Sequence, residues 1–378
     1  MTLQTQILVR AVWLLAVMAV FTSAGEVTPP QGAVRNLTVS DFMPHPNVGK
    51  DFNETWSYQF VFDNGTRAFV NYALLQVPAS GQKVTCDMTF WNFKGKTYTV
   101  GRQYPPERLK ADKNSGTIDI KGEYKMENKP GKGHRVYFTA DKGGRFLLDL
   151  TFESAETGKV IGNGVWNVGK EKLGQYIHIP YGRVSGKIAY NDDTLTVKGY
   201  AYMDQIWQSA QATDMVRRTI NFSTNARNPM YAGRVSLSTK GELMGYVIYN
   251  GPEGAKVARP TTLKDGGSDY DGKRFPKEAL EIQWTDGVPA LTFAVNKTYQ
   301  IFSIRIIYAV GSFDKVKRRV ASAAVECSCP YGIVVTSDII ICTEHRHIEQ
   351  GSSCELSIEV NAVPSEVQVE TEGKFRSV

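Results

Sequence analysis

Residues 56–75 read WSYQFVFDNGTRAFVNYALL, and this stretch decides the fold class. Trp56, Tyr58, Phe60 and Phe62 alternate with Ser57, Gln59 and Val61. That is the period-two pattern of a strand with one face buried. Asp63, Asn64 and Gly65 then supply turn chemistry, and residues 68–75 return as a second strand, so the stretch reads as a β-hairpin. The same alternation recurs outward from it. Val84, Cys86, Met88 and Phe90 share one face of residues 84–91, and Phe146, Leu148, Leu150 and Phe152 share one face of residues 145–153. Further strands are expected at 93–100, 116–124 and 135–140, broken by Pro105, Pro106 and the turn at 141–144. No segment of this half keeps a helical period for more than two turns. Closely spaced short strands of this kind build an all-β sandwich or barrel.

The second half repeats the pattern. Strands are expected at 182–190, 199–207, 217–222, 231–238, 243–249, 280–284, 291–295, 299–308 and 356–360, and residues 251–274, rich in Gly, Pro and Asp, read as a long loop. The glycine-punctuated GNGVWNVGK at 162–170 precedes a domain boundary near 173–181. Two β-rich halves of comparable length imply two barrels side by side, an arrangement that also spares many strands an exposed edge. The expected division is a leader at 1–24, an N-terminal domain at 25–180 and a C-terminal domain at 181–378. Residues 25–50, with Pro29, Pro30, Pro44 and Pro46, read as irregular.

At 378 residues, 42% hydrophobic and 22% charged, the chain can bury a sizeable core. Its net charge of +6 is dispersed; the one basic run, KVKRR at 315–319, reads as a solvated strand end, and no nucleic-acid motif or phosphate-cradling glycine loop is present. Arg10, an apolar run at 11–21 and the small residues Thr22, Ser23 and Ala24 form a secretory signal peptide too short to be a comfortable membrane span. A secreted or lumenal protein without a stable span is therefore expected. Sequons at Asn36, Asn53, Asn64, Asn221 and Asn296 are glycosylation candidates on that route. Cys86 stands apart and is expected to be a buried thiol. Cys327, Cys329, Cys342 and Cys354 cluster near the end as disulfide candidates, with three pairings open. Their spacing lacks the CxxC pairs of common structural zinc sites.

Chemistry-bearing residues concentrate at 199–209, GYAYMDQIWQS. On a strand, Tyr200, Tyr202 and Asp204 share one face. A carboxyl walled by aromatic rings loses hydration and holds its proton more tightly, which suits a proton donor toward an apolar substrate. A phenol can pass a proton or hold an oxyanion, and an indole face stabilises a cation. The same residues would equally hold a greasy ligand through one polar contact. Motifs for Ser, Cys or zinc hydrolases are missing. Glu344, His345, His347 and Glu349 form one donor cluster, which reads as solvated or structural rather than metal-binding. His134 and His178 are isolated and read as structural, and no metal or cofactor is expected.

GYAYMDQIW resembles the signature of the AttH and carotenoid-hydratase superfamily, in which two lipocalin-like domains stand in tandem. There a glycine-led strand carries an aromatic-x-Asp with a tryptophan three residues beyond. YIHIPYGRVSGKIAY, just before it, is similar to the strand entering that family's second domain, and ETWSYQFVFDNG is similar to its opening hairpin. MDQIWQS also resembles the M-D-x-x-W-x-S run of the fungal lipocalin-like Diels-Alderases, and fungal ceramide-carrier survival factors belong to the same broader group. Gln205, Ile206 and Gln208 depart from the usual motif, which places His or Asn nearer the Trp and a Gly after it.

The resemblance implies two tandem lipocalin-like β-barrel or sandwich domains with an apolar small-molecule site at their junction. It implies catalytic roles for Asp204 and Tyr202, and ligand contacts from Trp207. Tyr200, Trp166 and Arg183 complete the expected binding set, with Arg183 as the electrostatic partner of Asp204. The expected activity is a cofactor-independent cyclase, Diels-Alderase-type isomerase or hydratase acting on an isoprenoid, polyene or polyketide. The rival readings are a non-catalytic carrier of a lipid or terpenoid and a secreted surface-interaction glycoprotein.

Overall fold

The computed structural model describes residues 27–46, 49, 51–77, 81–129, 133–224, 227–265, 280–307, 317–328 and 333–343, with backbone alone beyond residue 292. The first strands are β1 (Val27–Thr28), β2 (Val34–Asn36), β3 (Asn53–Phe62), β4 (Arg67–Val77), β5 (Gly81–Phe93) and β6 (Lys96–Tyr104), with a one-turn helix α1 (Val39–Phe42) before β3. Next come β7 (Leu109–Asp112), β8 (Thr117–Ile120), β9 (Tyr124–Lys129), β10 (Gly133–Asp141), β11 (Arg145–Ala155), β12 (Lys159–Ile161) and β13 (Val165–Val168). Two long strands follow, β14 (Glu171–Tyr190) and β15 (Asp193–Gln208), and then the short helix α2 (Ala212–Met215). The rest is β16 (Val216–Thr224), β17 (Met230–Ser238), β18 (Leu243–Gly251), β19 (Gly254–Ala258) and β20 (Pro260–Asp265), then β21 (Leu280–Trp284), β22 (Leu291–Ile307), β23 (Lys317–Ser328) and β24 (Ile333–Thr343). The chain is all-β, as its alternation requires.

The hairpin that opened the analysis forms as expected. Phe62 and Thr66 close it, the Asn64 side chain accepts from the Thr66 amide at 3.0 Å, and Gly65 sits at φ +81°, a conformation that suits glycine. The first sheet runs β6-β5-β4-β3-β15-β14-β11-β10-β9-β8-β7, every pair antiparallel, and β1, β2, β12 and β13 patch its β14 side. It curls around a single core. Trp56, Tyr58, Phe60 and Phe62 point inward with Val84, Cys86, Met88, Phe90, Phe146, Leu148, Leu150 and Phe152, all buried. The curl brings opposite ends of the sheet together, so that the Tyr104 ring of β6 meets Tyr124 of β9 at 5.8 Å. Each such aromatic contributes roughly 1.5–3 kcal/mol by leaving water. Cys86 is a free, buried thiol within this core.

The second sheet runs β19-β18-β17-β16-β24-β23-β22-β21-β20. Its core includes Ile220, Phe222, Tyr231, Val235, Val247, Tyr249, Ile282 and Trp284. Two features differ from expectation. Residues 251–265, read as loop, instead carry β19 and β20, the two outermost strands of the second sheet, because short polar edge strands leave little apolar alternation to read. The boundary at 180/181 falls inside β14 (171–190), whose strand partners on either side of it all belong to the first sheet. Sheet membership changes only after Gln208. Among the described residues no helix is long and apolar enough to cross a membrane. The leader at 1–24, the 344–349 donor cluster and the strand expected at 356–360 lie outside the described residues.

Candidate functional site

Strand β15 carries the expected acid, and its two faces lead to different places. It pairs with β3 in unbroken register, Asp204 opposite Ser57 and Tyr202 opposite Gln59. Ala201 and Met203 therefore enter the first core, while Tyr202 and Asp204 point toward the second sheet. There Arg234 of β17 meets them. Its Nη1 donates to Asp204 Oδ2 at 2.7 Å, and the Tyr202 hydroxyl donates to the same oxygen at 3.1 Å. The pair is sealed, with side chains 2% and 1% exposed. Burial raises the Asp204 carboxyl above its ordinary value; Arg234 and Tyr202 pull it back down. Both protonation states are thus supported in one place, the condition for a group that gives and recovers a proton. Among the described residues Asp204 Oδ1 has no hydrogen-bond partner.

Around this trio the space between the sheets is polar at its centre and apolar at its flanks. Ser57 Oγ donates to Asn71 Oδ1 at 3.0 Å on the first sheet. On the second, Ser236 bonds Thr219 at 2.9 Å and accepts from Gln175 Nε2 at 3.3 Å. One flank packs Ile177 and Tyr202 against Met230, Ala232, Tyr246 and Ile248. The other packs Trp166, Leu173 and Ile206 against Met215, Val216 and Met244. A register shift in β14 after Ile177 accompanies a direct tie, the Ile177 amide donating to the Tyr246 hydroxyl at 2.8 Å.

The other expected residues are distributed unevenly. Trp166 is buried in the apolar flank, away from the carboxylate trio. Trp207, an odd number of residues from Asp204, lies on the opposite face of β15, where its Nε1 donates to the Tyr176 hydroxyl at 3.4 Å. Arg183 is not the partner of Asp204. It pairs opposite Tyr200, about 13 Å along the strand, and its guanidinium lies 4.9 Å over the Tyr200 ring near the surface. Arg234 takes the role instead. Its signal was present in β17, where it stands in phase with Ala232 and Ser236 on a face of small residues.

A second polar cluster occupies the opposite face of β15. Glu54 is in phase with Trp56 and Tyr58 and so points inward, where its side chain is 0% exposed. It receives the His45 amide at 3.0 Å, His45 Nδ1 at 2.7 Å and Gln205 Nε2 at 2.7 Å. Gln205 Oε1 in turn meets His178 Nε2 at 2.7 Å. Burial raises the Glu54 carboxyl, and these donors oppose the rise. His178 and His134, which is bonded to the Tyr58 hydroxyl at 2.8 Å, are pushed by burial down to about 4 and about 3 respectively, so both stay neutral. Phe42 of α1 inserts its ring between the two histidines, edge-on to each.

The modification candidates divide. Asn36 and Asn64 are exposed, but Asn53 and Asn221 are buried, and a glycan at either has no room in this fold. The side chain of Asn296 is outside the described set, as are Cys329 and Cys354. The β23–β24 register places Cys342 opposite Arg319, eight residues from Cys327, or about 26 Å of extended strand. That excludes the Cys327–Cys342 pairing, since a disulfide needs Cα atoms within about 7 Å.

Two antiparallel sheets in tandem, meeting across a buried polar seam, define a lipocalin-like double-domain fold, and solved structures share it. The AttH-type protein of Nitrosomonas europaea superposes with a TM-score of 0.51 at 11% identity, covering 82% of this chain and 98% of its own. Kievitone hydratase from Nectria haematococca gives 0.47 at 11% identity over 82% and 96% of the two chains, and CghA with Sch210972 gives 0.45 at 12% over 84% and 96%. The superposition on the AttH-type protein bears out the expected resemblance at the level of the fold. No protein-family model matches the sequence, and no curated protein does.

Proposed function

We propose that the protein binds an apolar small molecule between its two sheets and performs cofactor-independent proton-transfer chemistry on it, a hydration or a cyclisation. One observation carries this reading: a fully buried carboxyl, anchored through Oδ2 by Arg234 and Tyr202, has no partner for Oδ1 among the described residues. A purely structural ion pair gains most when every lone pair is satisfied, because an unmet buried acceptor costs about 1–3 kcal/mol. In this account Asp204 gives its proton to an alkene carbon of an isoprenoid or polyene; the cation so formed is captured by an internal double bond or by one bound water, and the proton then lost from the product returns to the carboxylate. Arg234 and Tyr202 stabilise the carboxylate that results, and the apolar flanks exclude competing water. The expected leader and the exposed sequons Asn36 and Asn64 are consistent with a secretory-pathway location.

The test uses D2O. The purified protein is incubated with a panel of isoprenoids and polyenes, and products are analysed by mass spectrometry. The expected result is a product carrying deuterium on carbon, lost in Asp204→Asn while ligand affinity stays within a few fold. Binding without deuterium uptake in either protein would favour the carrier reading, which the apolar flanks support equally well.

A further inference from the structure

We propose that His45, oriented by Glu54, is the proton acceptor of a second site at the edge of the first barrel, taking the weakly acidic hydroxyl of a planar apolar molecule. The inference does not rest on the reading of Asp204, whose side chain lies on the other face of β15.

The argument begins with Glu54. A glutamate wholly out of water is costly unless several donors meet it, and here three converge: the His45 backbone amide, the His45 ring and the Gln205 amide. Two of the three belong to one histidine, so the carboxylate acts on His45 more than on the fold around it. A carboxylate only accepts, so the contact from His45 Nδ1 at 2.7 Å requires the ring proton there. Nε2 then holds the lone pair. The longer approach of Gln205 Nε2 to the same Nδ1, at 3.4 Å, does not compete, because that amide already donates to Glu54.

Access follows the same line. Glu54 is sealed while the His45 side chain keeps 18% of its surface, so the chain of polar groups from His178 through Gln205 and Glu54 reaches solvent at His45. The imidazole is framed by flat apolar surface, stacked at 5.0 Å on Tyr176 and tilted at 5.4 Å against Trp207. That frame selects a planar ring system. When such a molecule presents an enol or phenol, its O–H proton passes to Nε2. The products are an imidazolium, compensated by Glu54, and a ligand oxyanion; proton return on release restores both.

The test probe is 2-naphthol, with naphthalene as its hydroxyl-free control, in equilibrium binding followed by fluorescence. Wild type is expected to prefer the hydroxylated probe by about tenfold, the scale of one charge-assisted hydrogen bond. His45→Asn should abolish the preference, Glu54→Gln should weaken it, and Asp204→Asn should leave it unchanged. Nitrogen-15 spectra of histidine-labelled wild type need no variant to fold, and they should show neutral His45 protonated on Nδ1. Equal affinity for the two probes, a preference that vanishes with Asp204→Asn rather than His45→Asn, or His45 protonated on Nε2 would each overturn the proposal.

Discussion

The two faces of strand β15 solve the same physical problem in opposite ways. Toward the second sheet, Asp204 is held by a permanent cation, Arg234, and one of its oxygens has no partner among the described residues. Toward the first barrel, Glu54 is held by amides and a titratable imidazole, and both its oxygens are engaged. An arginine cannot give up its proton, so the first arrangement is an electrostatic clamp across the sheets. The second is a set of hydrogen bonds within the barrel that ends at the part-exposed His45 ring. Buried carboxylates on two neighbouring strands thus serve different ends according to the base that meets them.

Breaking the clamp should have the largest effect. Arg234→Met leaves Asp204 buried and unpaired and is expected to cost about 3–5 kcal/mol in urea unfolding, with most of it recovered in the Arg234→Met, Asp204→Leu double variant. A loss that persists undiminished in the double variant would show that Arg234 acts elsewhere.

The barrel face should report through pH. His134 and His178 fall from an unfolded value of 6.5 to about 3 and about 4, so their contribution is complete above pH 6.5 and is lost as pH falls toward those values. Each adds about 1.4 kcal/mol per pH unit to the slope. Glu54 and Asp204, raised by burial, act in the opposite sense, losing stability as pH rises. The histidine share is therefore read as a difference. Between pH 6.5 and 4.5 wild type should lose about 2 kcal/mol more than His134→Gln, and parallel curves would contradict the assignment.

A smaller effect should follow from pushing on Trp207. A Cβ at Gly174 falls 2.2 Å from the indole Nε1, so Gly174→Ala must displace the ring. The expected cost is about 1–3 kcal/mol with a shift in tryptophan emission; unchanged emission would place the indole elsewhere. Smallest of all, Tyr246→Phe removes the bond to the Ile177 amide and should cost about 1 kcal/mol without altering the pH slope.

What the chain disclosed before its structure was known follows from where each interaction lies. Strands β3, β5 and β11 were legible because each repeats an apolar residue every second position, a local property. The shared face of Tyr202 and Asp204 was legible for the same reason, whereas Trp207, expected beside them, stands an odd number of residues away and lies on the other face. Arg234 was not, since its contact with Asp204 joins two sheets and depends on how they pack. Arg183 was expected as the partner from its place near the start of the second domain, but β14 carries it to the surface. Glu54 lay between these cases. Its phase with Trp56 and Tyr58 marks an acid on a core face, whereas its partner His45 follows an irregular proline-bounded segment that no periodicity places.

The central claim is that the seam between the sheets holds an apolar molecule against Asp204. The most direct measurement is organic extraction of protein purified under native conditions, followed by mass spectrometry of the extract. The account predicts an apolar small molecule in stoichiometric amount, still retained when His45 is replaced by Asn. An extract containing no such molecule, from protein produced in its native source, would contradict it and favour a chain that works through its surface.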